Sequence, residues 1–184
     1  MRTQLIALIT FIICTIQVAG QENVNRLDLR LGTGISLLGS GDMRTFNYEN
    51  ELNLKLNQYF TGSASINLGR SNTGVSVTAS FVQGNANIFI SPFRNIKRFD
   101  FRIGTGLSYY NISDAYEISS QYTNGVLIDV DYEFDKRNSF GYNIIIENSY
   151  MLTNKFLLGL KLFTQPYSNG DINSGVMIKI GLKL

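Results

Sequence analysis

The sequence predicts an all-β protein: eight antiparallel strands closed into a barrel. Three observations carry that expectation. After residue 21 no long window has the 3.6-residue apolar period of a helix, while segment after segment alternates apolar and polar residues with period two. Only 2 of 184 residues are Pro, so little of the chain is barred from a hydrogen-bonded ladder. One strand is also written twice. RLDLRLGTGISLL at 26–38 returns as RFDFRIGTGLSYY at 98–110, so that Arg26, Asp28, Arg30, Gly32, Gly34 and Ser36 recur 72 positions later as Arg98, Asp100, Arg102, Gly104, Gly106 and Ser108.

Met1–Gly20 has the form of a cleaved signal peptide: Arg2, then an apolar run Leu5–Val18, then Val18-Ala19-Gly20 before Gln21. The run is short of the ~20 apolar residues a spanning helix needs. The only cysteine, Cys14, lies within it, and the bulky Ile13 argues against a lipoprotein cut. Residues 21–184 then form one domain without disulfide or thiolate chemistry. Setting Arg2 aside, 15 Lys+Arg stand against 14 Asp+Glu, a balance that implies no nucleic-acid partner.

The first strand is read as 26–38, closed by the turn Gly39-Ser40-Gly41-Asp42. The second, 44–57, places Phe46, Tyr48, Leu52 and Leu54 on one face and Asn47, Glu49, Glu51, Asn53 and Lys55 on the other. The third is 60–69. The fourth starts at Val75 and alternates through Val77, Ala79 and Phe81, but Ile88 and Ile90 resume on even numbers, so a β-bulge is expected near 82–84. Ser91-Pro92-Phe93 ends it. After the fifth strand, 98–110, comes a long external loop, 111–139, in which Val126–Phe134 alternates cleanly enough to be a loop hairpin or a barrel strand. Segments 140–150, 156–164 and 176–184 complete the barrel, with a polar loop at 165–174.

Counted naively, those are nine segments. A shift of 96 aligns Phe46, Asn47, Glu51, Leu56 and Phe60 with Tyr142, Asn143, Glu147, Leu152 and Phe156, and 96 exceeds 72 by the 24 residues by which 111–139 outruns 39–43. The chain then divides into four-strand halves, 26–90 and 98–184. Eight strands are expected, with Val126–Phe134 a strand extension or hairpin beyond them.

The polarity of a closed barrel has two solutions. A lipocalin-like barrel turns its apolar face inward around a small lipophilic ligand, and a membrane barrel turns it outward to lipid. Four features favour the membrane. Aromatic residues gather at two rims, Tyr59, Phe60, Phe93, Phe99, Tyr150 and Phe156 at one and Phe46, Tyr48, Tyr109, Tyr110, Phe140 and Tyr142 at the other. Connections at the rim holding both termini are short, and the longest lies opposite. The polar face mixes small residues (Gly32, Gly34, Ser63, Ser65, Gly104, Gly106) with charges of both signs, as a narrow interior requires. The last strand, 176–184, resembles the terminal strand read by the outer-membrane insertion machinery, with Leu184 where Phe is usual.

Over nearly all of residues 21–184 the sequence resembles the small eight-stranded outer-membrane β-barrel proteins of Gram-negative bacteria, on the architecture and on stretches such as Arg98–Tyr110 and Phe140–Leu160. The resemblance implies an outer-membrane location among lipids and lipopolysaccharide, assembly by the insertion machinery, a monomer, and a barrel too narrow for a wide pore. It transfers no reaction. The chain has no histidine and no nucleophile motif, so an enzyme is not expected, with lipid modification the residual enzymatic class. No cofactor is expected.

The candidate constellation is a set of charges assigned to the lumen: Asp28, Arg30, Glu49, Glu51, Lys55, Asp100, Arg102, Glu147, Lys161, Lys179 and Lys183. Unpaired buried charge is costly, so a mutually satisfied plug is expected rather than a narrow passive channel. Asp129, Asp131, Glu133 and Asp135 are the only metal candidates. Their spacing lacks the Gly turn and extra ligands of a Ca²⁺ loop, which favours a solvated face. The functional expectation is a structural or surface-interaction role.

Overall fold

The computed structural model describes residues 27–39, 43–72, 77–93 and 98–184. Residues 1–26, which include the segment expected to be a leader and Arg26, lie outside them, as do 40–42 of the expected first turn and Val75, the expected start of the fourth strand. Eight strands run in order: β1 Leu27–Leu38, β2 Met43–Lys55, β3 Phe60–Asn72, β4 Val77–Ile90, β5 Phe99–Thr123, β6 Val126–Met151, β7 Phe156–Pro166 and β8 Ile172–Lys183. Each pairs antiparallel with the next, and β8 returns to β1, so the sheet has no open edge around the ring.

The register fixes the barrel's shape. From Leu27 the ladder passes through Leu54, Gly62, Ile88, Thr105, Ile144, Thr164 and Ser174 and comes back to β1 at Leu37, a stagger of 10 residues. For eight strands that stagger corresponds to a tilt of about 43° and a bore narrow enough for side chains to fill. At this tilt the ten residues from Leu27 to Leu37 rise about 24 Å along the axis, close to the height of an outer-membrane apolar band.

Short turns close the rim that holds both ends of the described chain. Asn57 Oδ1 accepts from the backbone N–H groups of Tyr59 and Phe60, both at 2.8 Å. Thr153 Oγ1 does the same for Lys155 and Phe156 at 3.3 and 3.0 Å. At the opposite rim β5 and β6 continue as one hairpin closed by Asn124-Gly125, with φ of +54° and +78°. Both central residues of this two-residue turn are left-handed, the geometry that favours Asn-Gly.

Three sequence expectations change here. Residues 111–139 are two strand extensions around the Asn124-Gly125 turn rather than a loop; Val126–Phe134 is the strand extension expected of it, the outer part of β6, paired with an equally extended β5. The β-bulge expected near 82–84 is absent, since β4 keeps an unbroken register with both β3 and β5. Ala79 and Phe81 point inward with Gln83, Asn85 and Asn87, so an apolar patch of the interior had mimicked a change of face. The irregularities lie instead on the arm, between Glu117 and Ser119 and between Gln121 and Tyr122. The loop expected at 165–174 shrinks to 167–171, because β7 runs to Pro166 and β8 starts at Ile172.

The outer wall is apolar. Ile35, Phe46, Ile66, Ile88, Leu107, Phe140 and Ile180 are each at least half exposed. An exposed apolar surface covering a whole barrel requires an apolar solvent.

Candidate functional site

The site is the filled lumen together with the hairpin above it. Side chains alternate in and out along each strand, so parity decides which residues meet at the axis. All of the charges assigned to the lumen lie on the inward face. Asp28, Arg30, Glu49, Glu51, Asp100, Arg102, Glu147, Lys161 and Lys179 are buried, while Lys55 and Lys183 are half-buried towards the short-turn rim.

At the centre Glu147 on β6 accepts from Arg30 on β1, from Arg102 on β5 through both oxygens at 3.0 Å, and from Lys179 on β8 at 3.3 Å. Lys179 also reaches Glu51 at 2.7 Å and Glu49 at 3.0 Å, both on β2, and Lys161 on β7 reaches Glu49 at 2.6 Å. Arg30 is held by Asp28 at 2.7 Å, and Arg102 by Glu51 at 2.7 Å and Asn53 Oδ1 at 2.8 Å. The Arg102 guanidinium also lies 3.9 Å from the centroid of the Phe89 ring, a cation–π contact. Four deep cations, Arg30, Arg102, Lys161 and Lys179, thus meet five buried carboxylates, Asp28, Glu49, Glu51, Asp100 and Glu147, with the half-buried Lys55 and Lys183 on the same inward face. The balance offsets the desolvation of each.

Glycines make the space for these long chains. A Cβ on Gly104 would lie 2.5 Å from the Phe89 ring, and one on Gly34 would lie 2.0 Å from the Val176 carbonyl oxygen. These lie in the two copies of the repeated stretch, where the mid-strand Gly-x-Gly lets neighbouring strands and side chains approach.

Above the charges is a layer of amides. Gln83 donates to Asn85 at 2.7 Å and to Gln165 at 2.8 Å, Asn143 donates to Asn87 at 2.5 Å, and Asn173 donates to Gln165 at 3.2 Å. An apolar cluster follows at the outer mouth: Leu38, Ala79, Phe81, Tyr110, Ile112 and Tyr167. Tyr110 therefore leaves the aromatic rim expected for it. Its ring is buried edge-on against Tyr167 at 4.2 Å, because even-numbered residues of β5 face the lumen.

A last polar knot caps the cluster. Arg137 bridges Asp114 at 2.6 Å, Asp171 at 3.1 Å and Asp135 at 3.4 Å. Tyr110 Oη donates to Asp171, and Asn169 donates to the same oxygen at 2.8 Å. Burial alone would push the Asp171 carboxyl up, but hydrogen bonds from Tyr110, Asn169 and Arg137 outweigh it and hold the carboxyl below its ordinary value.

Beyond the cap stands the β5–β6 arm. The β4–β5 ladder ends at Val77 and Tyr116, and the β6–β7 ladder stops at Ile144 apart from one bridge, Gly141–Tyr167. Past these points, among the described residues, the hairpin pairs only with itself. Asp129, Asp131, Glu133 and Asp135 are exposed along one side. Ser119 donates to Asp131 at 3.0 Å, and Arg137 holds Asp135. Among the described residues no three carboxylates group into a metal-binding set, so the structure does not gather the row as ligands. On the other side Ile118, Ile128 and Phe134 are about two-thirds exposed.

The amide layer and the Arg137 cap were missed by the sequence reading. Their signal was parity: Gln83, Asn85 and Asn87 share the odd face of β4, and Asp114 continues the even face of β5 from Asp100 and Arg102.

Apolar outside, polar and ion-paired inside, with a closed ladder between them, the chain is a transmembrane β-barrel of the small outer-membrane type. No protein-family model matches it, and no curated protein matches by sequence. Solved structures do. Neisserial surface protein A is 11% identical with a TM-score of 0.63, covering 86% of this chain and 96% of that one. The attachment invasion locus protein Ail of Yersinia pestis is 9% identical at 0.58, covering 85% and 96%. OprG of Pseudomonas aeruginosa is 10% identical at 0.56, covering 86% and 94%. At such identities the likeness establishes the fold.

Proposed function

We propose that the protein is an integral outer-membrane barrel with a structural or surface-interaction role, its lumen serving as a fixed plug and its β5–β6 arm as the element presented outside. One observation carries this reading: the nine buried lumen charges are ion-paired with one another, with Glu147 by itself engaging cations from β1, β5 and β8, and among the described residues only Lys55 and Lys183 of the assigned set, at the short-turn rim, have no carboxylate within 4.0 Å. The apolar cluster and the Arg137 cap lie in series above them, leaving the arm as the part built to meet other molecules. Lipopolysaccharide and outer-membrane lipids surround the wall in this reading, residues 1–20 are a cleaved leader, and the insertion machinery assembles a monomer. With no histidine in the sequence, no enzymatic role is proposed.

Planar-bilayer recording tests the plug. Small or no channels are expected, and steady conductance of porin size would overturn it. Fractionation tests the location: the chain should stay with detergent-extracted outer membranes and migrate in a heat-modifiable way on gels. Release into buffer would remove the membrane assignment.

A further inference from the structure

Between the two aromatic girdles the outward face of the described strands carries no charged side chain. The first charges beyond the outer girdle on β2 and β3 are Arg44 and Arg70, both exposed. They stand on adjacent strands. The register sets Phe46 opposite Arg70 and Thr45 opposite Ser71, so Arg44 is the diagonal neighbour of Arg70 on the same face. Residues so related lie about 7–8 Å apart, within reach of one another's long side chains. The tilt of the barrel lifts each successive strand by about one and a quarter residues, ten residues over eight strands. That lift brings Arg44 and Arg70 to nearly one height, a few ångströms beyond Phe46 and Tyr48.

Nothing described on the protein neutralises the pair. Among the described residues neither arginine has a carboxylate within 4.0 Å, in contrast to Arg30, Arg102 and Arg137. The outward neighbours are apolar or small: Leu37 across β1, Leu68 below, Ser80 across β4. Two planar five-donor guanidinium groups thus stand at the edge of an apolar belt, where long cationic side chains lay their stems on hydrocarbon and raise their heads to the interface. The anion that occurs at that height, and that the guanidinium fork fits, is phosphate.

We propose that Arg44 and Arg70 form a clamp for a phosphate group carried on a lipid headgroup of the outer leaflet, the leaflet on the side of the arm. The proposal rests on the transmembrane reading of the barrel and gives that wall a specific lipid contact. At the opposite rim Arg98 and Lys155 are also exposed cations, but they precede β5 and β7, with β6 between them, and form no such diagonal pair.

The test uses the barrel in maltoside micelles, which carry no phosphate, titrated with diphosphoryl lipid A and followed by native mass spectrometry. The wild type should retain the lipid, and Arg44→Gln/Arg70→Gln should weaken retention by about tenfold or more. Each single variant should fall between, and Lys155→Gln should bind as the wild type does. Heat-modifiable mobility checks that every variant is folded. Equal retention by the double variant would overturn the clamp. So would equal retention of dephosphorylated lipid A, which would make the contact apolar, or displacement of the lipid by inorganic phosphate at matched concentration, which would make it a site for free anions. Failure of the membrane assignment would be seen separately, as release from membranes on fractionation.

Discussion

Replacing Glu147 by Gln should be among the most damaging near-isosteric changes available to this barrel. The side chain keeps its size and one carbonyl oxygen, so packing is nearly conserved and the loss is electrostatic. In the wild type Glu147 engages Arg30, Arg102 and Lys179, and all four groups are at most 1% exposed. The substitution leaves the buried network one carboxylate short and turns an amide N–H₂ towards guanidinium or ammonium donors. Removing one partner of a buried ion pair costs about 3–5 kcal/mol. That is a large part of the roughly 5–15 kcal/mol by which a domain is stable. Urea unfolding in lipid vesicles should report it through heat-modifiable mobility and tyrosine fluorescence, since the chain has no tryptophan. Adding Lys179→Met to Glu147→Gln restores the charge balance, so the double variant should be less destabilised than the sum of the singles by about 0.5–3 kcal/mol. A Glu147→Gln barrel within about 0.5 kcal/mol of wild type, the range of an ordinary surface change, would refute the electrostatic account.

Three further outcomes follow from the geometry. Gly34→Ala should cost about 1–3 kcal/mol by the same assay, because its Cβ would meet backbone, whereas a Cβ on Gly62 meets nothing within 4 Å and Gly62→Ala should cost less than about 1 kcal/mol; similar losses would undo the distinction. Asp171 has its folded pKa depressed, so its hold on the β7–β8 connection is present above the ordinary carboxylate value of about 3.9 and is lost as pH falls through the lower folded value; amide NMR shifts of 169–172 should move only in that acid window, and a transition near neutrality would contradict it. Excising 117–133 and rejoining the strands with Asn-Gly should leave a folded, heat-modifiable barrel, since among the described residues that stretch pairs only with itself; loss of the folded band would mean that the barrel needs it.

Much of the fold was legible because a thin barrel obeys a rule of two. Parity alone placed Arg30, Glu51, Arg102, Glu147 and Lys179 on one side of the wall, and the doubled stretch with its 24-residue difference indicated eight strands. The failures share a physical cause. Ala79, Phe81 and Tyr110 are apolar residues on the polar face, and periodicity assigns residues to faces by polarity. It therefore read an inward apolar cluster as a bulge on β4 and as a rim aromatic on β5. Residues 111–139 were read as a loop because polar residues interrupt them, yet a hairpin standing in water can be polar on either face and still pair. The partners of Asp171 were out of reach for another reason: Tyr110 lies on β5, Arg137 on β6 and Asp171 in the β7–β8 connection, and only the register joins them.

The ion pairs also constrain how such a wall can be assembled. Glu49 and Glu51 sit on β2, Lys179 on β8 and Glu147 on β6, so the deepest contacts join the first hairpin to the last across the seam that β1 and β8 close. β2 entering hydrocarbon alone would carry Glu49 and Glu51 unneutralised and β8 would carry Lys179, and a curl of strands without β7 and β8 would lack the ammonium partners of Glu49. Neutrality arrives only when the first and last strands find each other. Closure and neutralisation are then one event, so substitutions in the network should slow the forming of the β1–β8 seam as well as weaken the closed barrel.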